Sequence, residues 1–383
     1  MPAQITNFQC PACTGPLHFD GSTGKLRCDY CGSTFTVQEI EALYGEKIES
    51  AQQAAAAQAV SPEAQNEQAG AEDAPSGWDW NAVSDDWGAA GVNMRAYSCP
   101  SCGAELICDA TTVATQCPYC GNPTVVPSQF DGNLKPDYIL PFKLDKEAAI
   151  AALKDFYKDK KLLPRQFASH NQIEKIQGVY VPFWLFNGTV EVDMDFSASR
   201  SMTHREGDRI ITETDHFRLR RAGDVDFERI PVDGSRRMPD AHMDAIEPFD
   251  YRELKPFSPG YLPGFLANKY DVDKEECSRR ADERAVNTAE ETVAATAYSS
   301  GYASCSLMGK NVRLHRGAVN YALLPVWMLS TRWKDQSFLF AMNGQTGKLI
   351  GDLHVSRERY WSWFARIAIP VAGALAALLY FFV

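Results

Sequence analysis

Two tetracysteine sets with one shared spacing constrain this chain more than any other feature. The first is Cys10-x-x-Cys13, fourteen residues, then Cys28-x-x-Cys31. The second is Cys99-x-x-Cys102, fourteen residues, then Cys117-x-x-Cys120. A C-x-x-C turn brings two thiolates to one ion, and a second such turn completes a tetrahedral shell. The intervening residues must then double back as a β-hairpin. In the first set Leu17-His18-Phe19 and Lys25-Leu26-Arg27 flank the turn Asp20-Gly21-Ser22-Thr23-Gly24. In the second, Glu105-Leu106-Ile107 and Val113-Ala114-Thr115 flank a looser turn. Gly32, Gly103 and Gly121 follow their cysteine pairs, where the turn needs positive φ, while Thr14 follows Cys13.

Two structural Zn2+ sites are therefore expected, with iron as the competitor for four thiolates. A closed four-thiolate shell has no open position for catalysis. The alternatives are disulfides, disfavoured in a reducing compartment, or a redox dithiol, disfavoured without a thioredoxin-like context. Cys108, Cys277 and Cys305 are left over and read as buried thiols.

The net charge is −11, and its distribution matters more than its size. Between Gly45 and Arg95 stand nine acids and two bases, in an Ala/Gln-rich segment that reads as a flexible acidic linker. Trp78, Trp80 and Trp87 interrupt it and suggest docking, on the chain's own main domain ahead of a partner. Residues 8–37 carry Lys25 and Arg27 against Asp20 and Asp29, and 96–126 carry no Lys or Arg. Phosphate neutralisation needs several bases on one face, so protein contact is the better expectation for both ribbons than nucleic acid. Arg218-Leu219-Arg220-Arg221 and Arg236-Arg237 read as solvated faces.

Residues 134–356 read as an α+β main domain. Ala149, Ile150, Leu153, Phe156 and Tyr157 predict a helix over Asp145–Lys160, and a second is expected from Asp273 to about Ala297. Val179–Phe186 is apolar enough for a central strand, and Val190, Val192, Met194 and Phe196 alternate with Glu191, Asp193 and Asp195 as in a half-buried one. Ile210–Leu219 continues after the turn Arg205–Asp208, and 337–353 reads as a hairpin about Asn343–Gly347. Leu144-Asp145-Lys146-Glu147 and Val272-Asp273-Lys274-Glu275 each open a helix. A Pro-x-Trp strand follows each, at Pro182-Phe183-Trp184 and Pro325-Val326-Trp327, so two helix-plus-sheet repeats are expected. Proline inside these strands implies an edge or a bulge.

Ile367–Val383 carries no charge, and Trp361 and Trp363 precede it beside Arg357, Arg359 and Arg366. Read alone, 361–383 predicts a single transmembrane anchor in the lipid bilayer of the inner membrane, with the bulk of the chain in the cytoplasm. No secretory signal opens the sequence. No Walker A motif, G-x-S-x-G elbow or H-E-x-x-H is present, and the seven histidines do not cluster, although His204 and His216 suggest a pair across a hairpin. No enzyme is expected.

The two ribbons resemble those of bacterial TFIIB-type zinc ribbon-containing proteins. So do the stretches PDYILPFKLDKEAA, GVYVPFWLF, IEPFDYRELKPFSPGYLPGFLANKYDVDKEE, YALLPVWMLSTRW and FLFAMNGQTGKLIGDL. Members are often labelled as similar to the primosomal helicase PriA, yet the ATP-binding motif of a helicase is absent here. The resemblance implies a scaffold beside phage-shock-type membrane proteins. The expected function is a tail-anchored, non-enzymatic adaptor, acting in membrane stress response, that uses its zinc ribbons for protein contacts. The alternative is a nucleic-acid-binding accessory in replication or transcription.

Overall fold

The computed structural model describes residues 9–43 (except Thr14), 77–81, 83, 87, 94–109, 116–122, 126–128, 134–158, 160, 162, 173–272, 274–333, 336–353 and 356–382. Val113–Thr115, Asp273, His170, His354 and most of the acidic linker lie outside them. Strands β1 (Leu17–Asp20), β2 (Lys25–Cys28) and β3 (Thr34–Phe35) form a small sheet, followed by a helical turn at 37–43. The next eleven strands share one sheet: β4 (Met94–Ser98), β5 (Glu105–Asp109), β6 (Val126–Ser128), β7 (Tyr138–Ile139), β8 (Gln177–Glu206), β9 (Arg209–Asp233), β10 (Lys255–Pro256), β11 (Leu266–Asn268), β12 (Ser304–Trp333), β13 (Gln336–Asn343) and β14 (Leu349–Gly351). The helices are α1 (Lys146–Lys158), α2 (Asp240–Ile246), α3 (Lys274–Tyr298) and α4 (Arg357–Phe382).

The main domain is thus mostly β-sheet, which corrects the expected α+β balance. Its centre is the antiparallel pair β8–β12, each 30 residues long. At about 3.3 Å per residue such a strand runs roughly 100 Å. The apolar run Val179–Phe186 has this cause: its two sets of side chains enter different cores on opposite faces of the sheet. Tyr180, Trp184 and Phe186 meet Phe142, Ala149, Leu153 and the first ribbon. Val179, Val181, Phe183 and Leu185 meet the second ribbon, Met243 and Ile246. Farther along, Val190, Val192, Met194 and Phe196 lie against Ala285, Ala289 and Ala297 of α3, whose small side chains allow close approach.

The prolines sit neither at an edge nor in a bulge. Pro182 accepts from Gly234 N–H, and Pro325 accepts from Gly344 N–H. In each case the missing donor faces a gap where one neighbouring strand ends and another begins. Beside β8, parallel β11 pairs at Val179 and Tyr180, and antiparallel β9 takes over at Phe183. Beside β12, parallel β7 pairs at Ala322 and Leu323, and antiparallel β13 takes over at Val326. Relative to the proline the two registers are the same. A β-α-β-β unit (β7, α1, β8, β9) is followed by another (β11, α3, β12, β13), and each unit's first strand pairs with the long strand of the other.

The expected membrane anchor over 361–383 is overturned: among the described residues, no helix is long and apolar enough to cross a membrane. Helix α4 is present, but Arg357, Glu358, Arg359 and Arg366 fall within its first ten positions. The single-pass, inner-membrane placement has no support once the anchor is removed.

Candidate metal centres

Each hairpin is built by the register that its spacing demanded. In the first ribbon Leu17 pairs with Cys28 and Asp20 with Lys25. Asp20 caps the turn through Ser22 N–H at 2.9 Å, and Gly24 closes it at φ 67°. Three of the four knuckles repeat one hydrogen-bond pattern: Gly32 N–H reaches Cys28 O, Gly103 N–H reaches Cys99 O, and Gly121 N–H reaches Cys117 O. These three glycines have φ of 70–73°, the left-handed turn that points two thiolates the same way.

All eight predicted ligands converge, four and four. Within each set the Sγ atoms lie within 4.8 Å of one another. Cys10–Cys31 are 3.5 Å apart, Cys13–Cys28 3.4 Å, and Cys99–Cys120 and Cys102–Cys117 both 3.6 Å. A tetrahedral ion with metal–sulfur bonds of about 2.3 Å needs sulfurs about 3.8 Å apart, so either set fits one. The protein therefore has two sites able to bind metal ions. In the first set Cys31, hydrogen-bonded to Ser33, is held down at about 6. Cys13 is pushed up to about 12; Gly15 N–H opposes this, but its bonds to Cys31 and Cys28 prevail. Burial raises Cys117 above the usual thiol range.

The second ribbon departs from expectation. Its hairpin partner for β5 is β4, upstream of Cys99, with Tyr97 opposite Leu106. It is no separate module either: β5 pairs with β11 through Ile107–Ala267 and Leu106–Asn268, inside the main sheet. Arg237, read from sequence as solvated, clamps the knuckle. Its guanidinium donates to Cys102 O and, at 3.1 Å, to Gly103 O, and it pairs with Asp271 at 3.3 Å. The other basic cluster is also engaged. Arg218 meets Asp195 at 3.0 Å, Arg220 meets Asp193 at 2.5 Å, and Arg221 donates to Ser300.

The first ribbon docks through side chains. Phe19 packs edge-on against Tyr261 at 5.2 Å, and its N–H reaches Pro263 O. Glu41 accepts from the Ser258 hydroxyl. A side chain at Gly21 would stand 2.4 Å from Phe142 O, so the hairpin turn touches the body where only glycine fits. A cleft of about 630 Å³ opens beside this contact, lined by His18, Arg27 and Asp29 on one wall and by Lys146, Glu147 and Trp327 on the other.

The tryptophan segment docks on the chain's own domain. Trp78 is 3% exposed, meets Phe186 at 4.8 Å and donates from Nε1 to Asp282 at 3.1 Å. Trp80 packs on Trp184 and Trp87 on Phe257. Asp79 adds a parallel bridge to Ala318, with bonds to Gly317 O and from Val319 N–H. The seat is a break in the long strands: registers shift at Phe186/Gly188 and at Arg316/Val319, one beside the other. Asn187-Gly188 and Arg316-Gly317 were the available signals, since glycine within a strand often marks a bulge.

His204 lies opposite Ile211 and His216 opposite Ser199, so the expected pair does not form. His18 is 3.2 Å from Asp29, and the buried His242 is 3.3 Å from Asp352. Cys108 and Cys277 are buried and Cys305 is half-buried.

No family model matches the chain, and no solved structure matches it significantly. It is 35% identical over 364 residues to YdjG, an uncharacterized protein of Bacillus subtilis (strain 168), across 95% of this chain and 94% of YdjG. The chain belongs to the YdjG family. The likeness covers nearly the full length of both chains, far more than a ribbon alone.

Proposed function

We propose that this protein is a non-enzymatic adaptor that binds two structural zinc ions and uses its ribbons for protein–protein contacts. The closed four-thiolate geometry of both sets supports this reading most directly. Such a shell stabilises a small fold and leaves no position for substrate. Zinc suits four thiolates in a tetrahedron better than the harder divalent ions.

The charges favour protein over nucleic acid. The first ribbon is balanced, and Arg218 and Arg220 of the long hairpin are paired with Asp195 and Asp193. That hairpin also exposes Met202 and Ile210, at 67% and 75% of their surface, and the neighbouring β12 exposes Met308 at 71%. Exposed apolar side chains of this kind suit contact with a protein surface.

The test pairs metal content with binding. Purified protein should carry about two zinc ions per chain by the four-thiolate count. Crosslinking in cells should join the ribbons or the hairpin tip to a defined protein, and Met202→Asp with Ile210→Asp should weaken that link. Tight, salt-dependent binding of DNA or RNA by residues 1–128 within the full chain would overturn the adaptor reading.

A further inference from the structure

The two cysteine sets share a spacing but not an environment. In the second set Cys102 and Cys120 are half-buried and Cys99 and Cys117 are buried. Its strands are hydrogen-bonded into the main sheet, Arg237 holds one knuckle, and Ser330 O lies 3.6 Å from where a Gly121 side chain would be. Opening that site means breaking the main sheet. In the first set Cys13 and Cys31 are exposed, and nothing approaches within 4 Å of the Gly32 side-chain position. Its sheet of three strands shares no ladder with the main one. Among the described residues, side-chain packing and a few hydrogen bonds attach it to the body.

We propose that the first cysteine set is an exchangeable, hydroperoxide-reactive metal site, that the second is permanent, and that discharge of the first releases its ribbon from the body. This rests on zinc occupancy as proposed above and adds to it a division of labour. Thiolates react according to their exposure, and Cys13 and Cys31 are the ones a solute reaches. One of them attacks the O–O bond of hydrogen peroxide, becomes a sulfenic acid and releases hydroxide. Its nearest neighbour closes the disulfide by expelling a second hydroxide. That neighbour is Cys28 at 3.4 Å for Cys13, or Cys10 at 3.5 Å for Cys31. With two protons taken up from solvent the balance is one peroxide reduced to two waters, two zinc-bound thiolates oxidised to one disulfide, and Zn2+ released.

Loss of the metal then has a structural consequence. A ribbon this short cannot bury enough apolar surface to stay folded alone. As it unfolds, Phe19 leaves Tyr261, Val37 leaves Gly260, and the cleft loses the wall made by His18, Arg27 and Asp29. Segment 258–265 becomes open to solvent or to a partner.

The experiment uses the full chain loaded with zinc, hydrogen peroxide in excess, and a chromogenic zinc indicator. One equivalent should leave about tenfold faster than the other, as exposure of the thiolates dictates. Mass spectrometry should find the disulfide among Cys10, Cys13, Cys28 and Cys31 while the second set stays reduced. Hydrogen exchange should rise at 258–266 and not at 94–109, and thiol reductant plus zinc should reverse both. Cys13→Ser with Cys31→Ser should abolish the fast phase and keep the slow one. Equal release rates, or oxidation of Cys102 and Cys120 first, would overturn the division. Release without altered exchange at 258–266 would overturn the coupling to undocking. A preparation containing no zinc would instead defeat the underlying zinc reading, a different and separable result.

Discussion

Replacing Trp78 separates what holds the tryptophan strap from what the strap holds. A tryptophan buries about 150–250 Å², worth about 5 kcal/mol at 25 cal/mol per Å². Truncation of such a ring costs about 3–5 kcal/mol in practice. Ordering five strap residues costs about 1–2 kcal/mol each, about 5–10 kcal/mol together, so the strap is near balance only with this ring in place. Trp78→Ala should therefore detach 77–81 locally before it destabilises the whole fold. Trp78→Phe keeps the contact with Phe186 and loses only the bond to Asp282, which stays paired with Arg316 at 2.6 Å. That change should cost about 1 kcal/mol. The reporters are two amides: Asp79 N–H, bonded to Gly317 O, and Val319 N–H, bonded to Asp79 O. Native-state hydrogen exchange should show both deprotected in Trp78→Ala and nearly unchanged in Trp78→Phe. If both amides keep wild-type protection in Trp78→Ala, the ring is not what seats the strap, and the reasoning fails.

Gly21→Ala places a methyl 2.4 Å from Phe142 O and should loosen the first ribbon while both zinc ions stay bound; unchanged exchange at 258–266 would refute this. Arg237→Ala strips donors from Cys102 O and Gly103 O and should cost about 1–3 kcal/mol of stability in denaturant titration, with faster zinc loss from the second site only. Cys10→Ser together with Cys99→Ser should release both metal ions, as read by elemental analysis. Asp233 is pushed up to about 6 by burial, against the pull of Arg280 at 3.0 Å. It thus binds its proton more tightly folded than unfolded. The stability it contributes is full below about pH 4 and is lost as pH rises through 6, by about 3 kcal/mol at most. A carboxyl titration near pH 6, absent in Asp233→Asn, should be visible by NMR, and a midpoint near 4 would contradict it.

Local chemistry was the legible part of this molecule. The cysteine spacing led to all eight converging thiolates, because a metal shell is specified by a short turn and little else. Helix α1 and the β8, β9 and β13 segments were legible because their periodicity reflects one buried face. Pro182 and Pro325 were misread: a gap between two neighbouring strands cannot be seen from the strand that contains the proline. The C-terminal run of uncharged residues reads as an anchor, whereas no described helix is long and apolar enough to cross a membrane.

The sequence by itself determined the two metal shells and where most strands and helices begin. Only the tertiary structure decided that the shells are unlike. One ribbon became part of the main sheet because β11 offered β5 a free edge; the other stayed outside because Phe19 and Gly21 meet the body through packing and a backbone hydrogen bond, not a strand ladder. Ligand spacing acts within some twenty residues of chain, whereas the exposure of a thiolate depends on what folds over it from a hundred residues away.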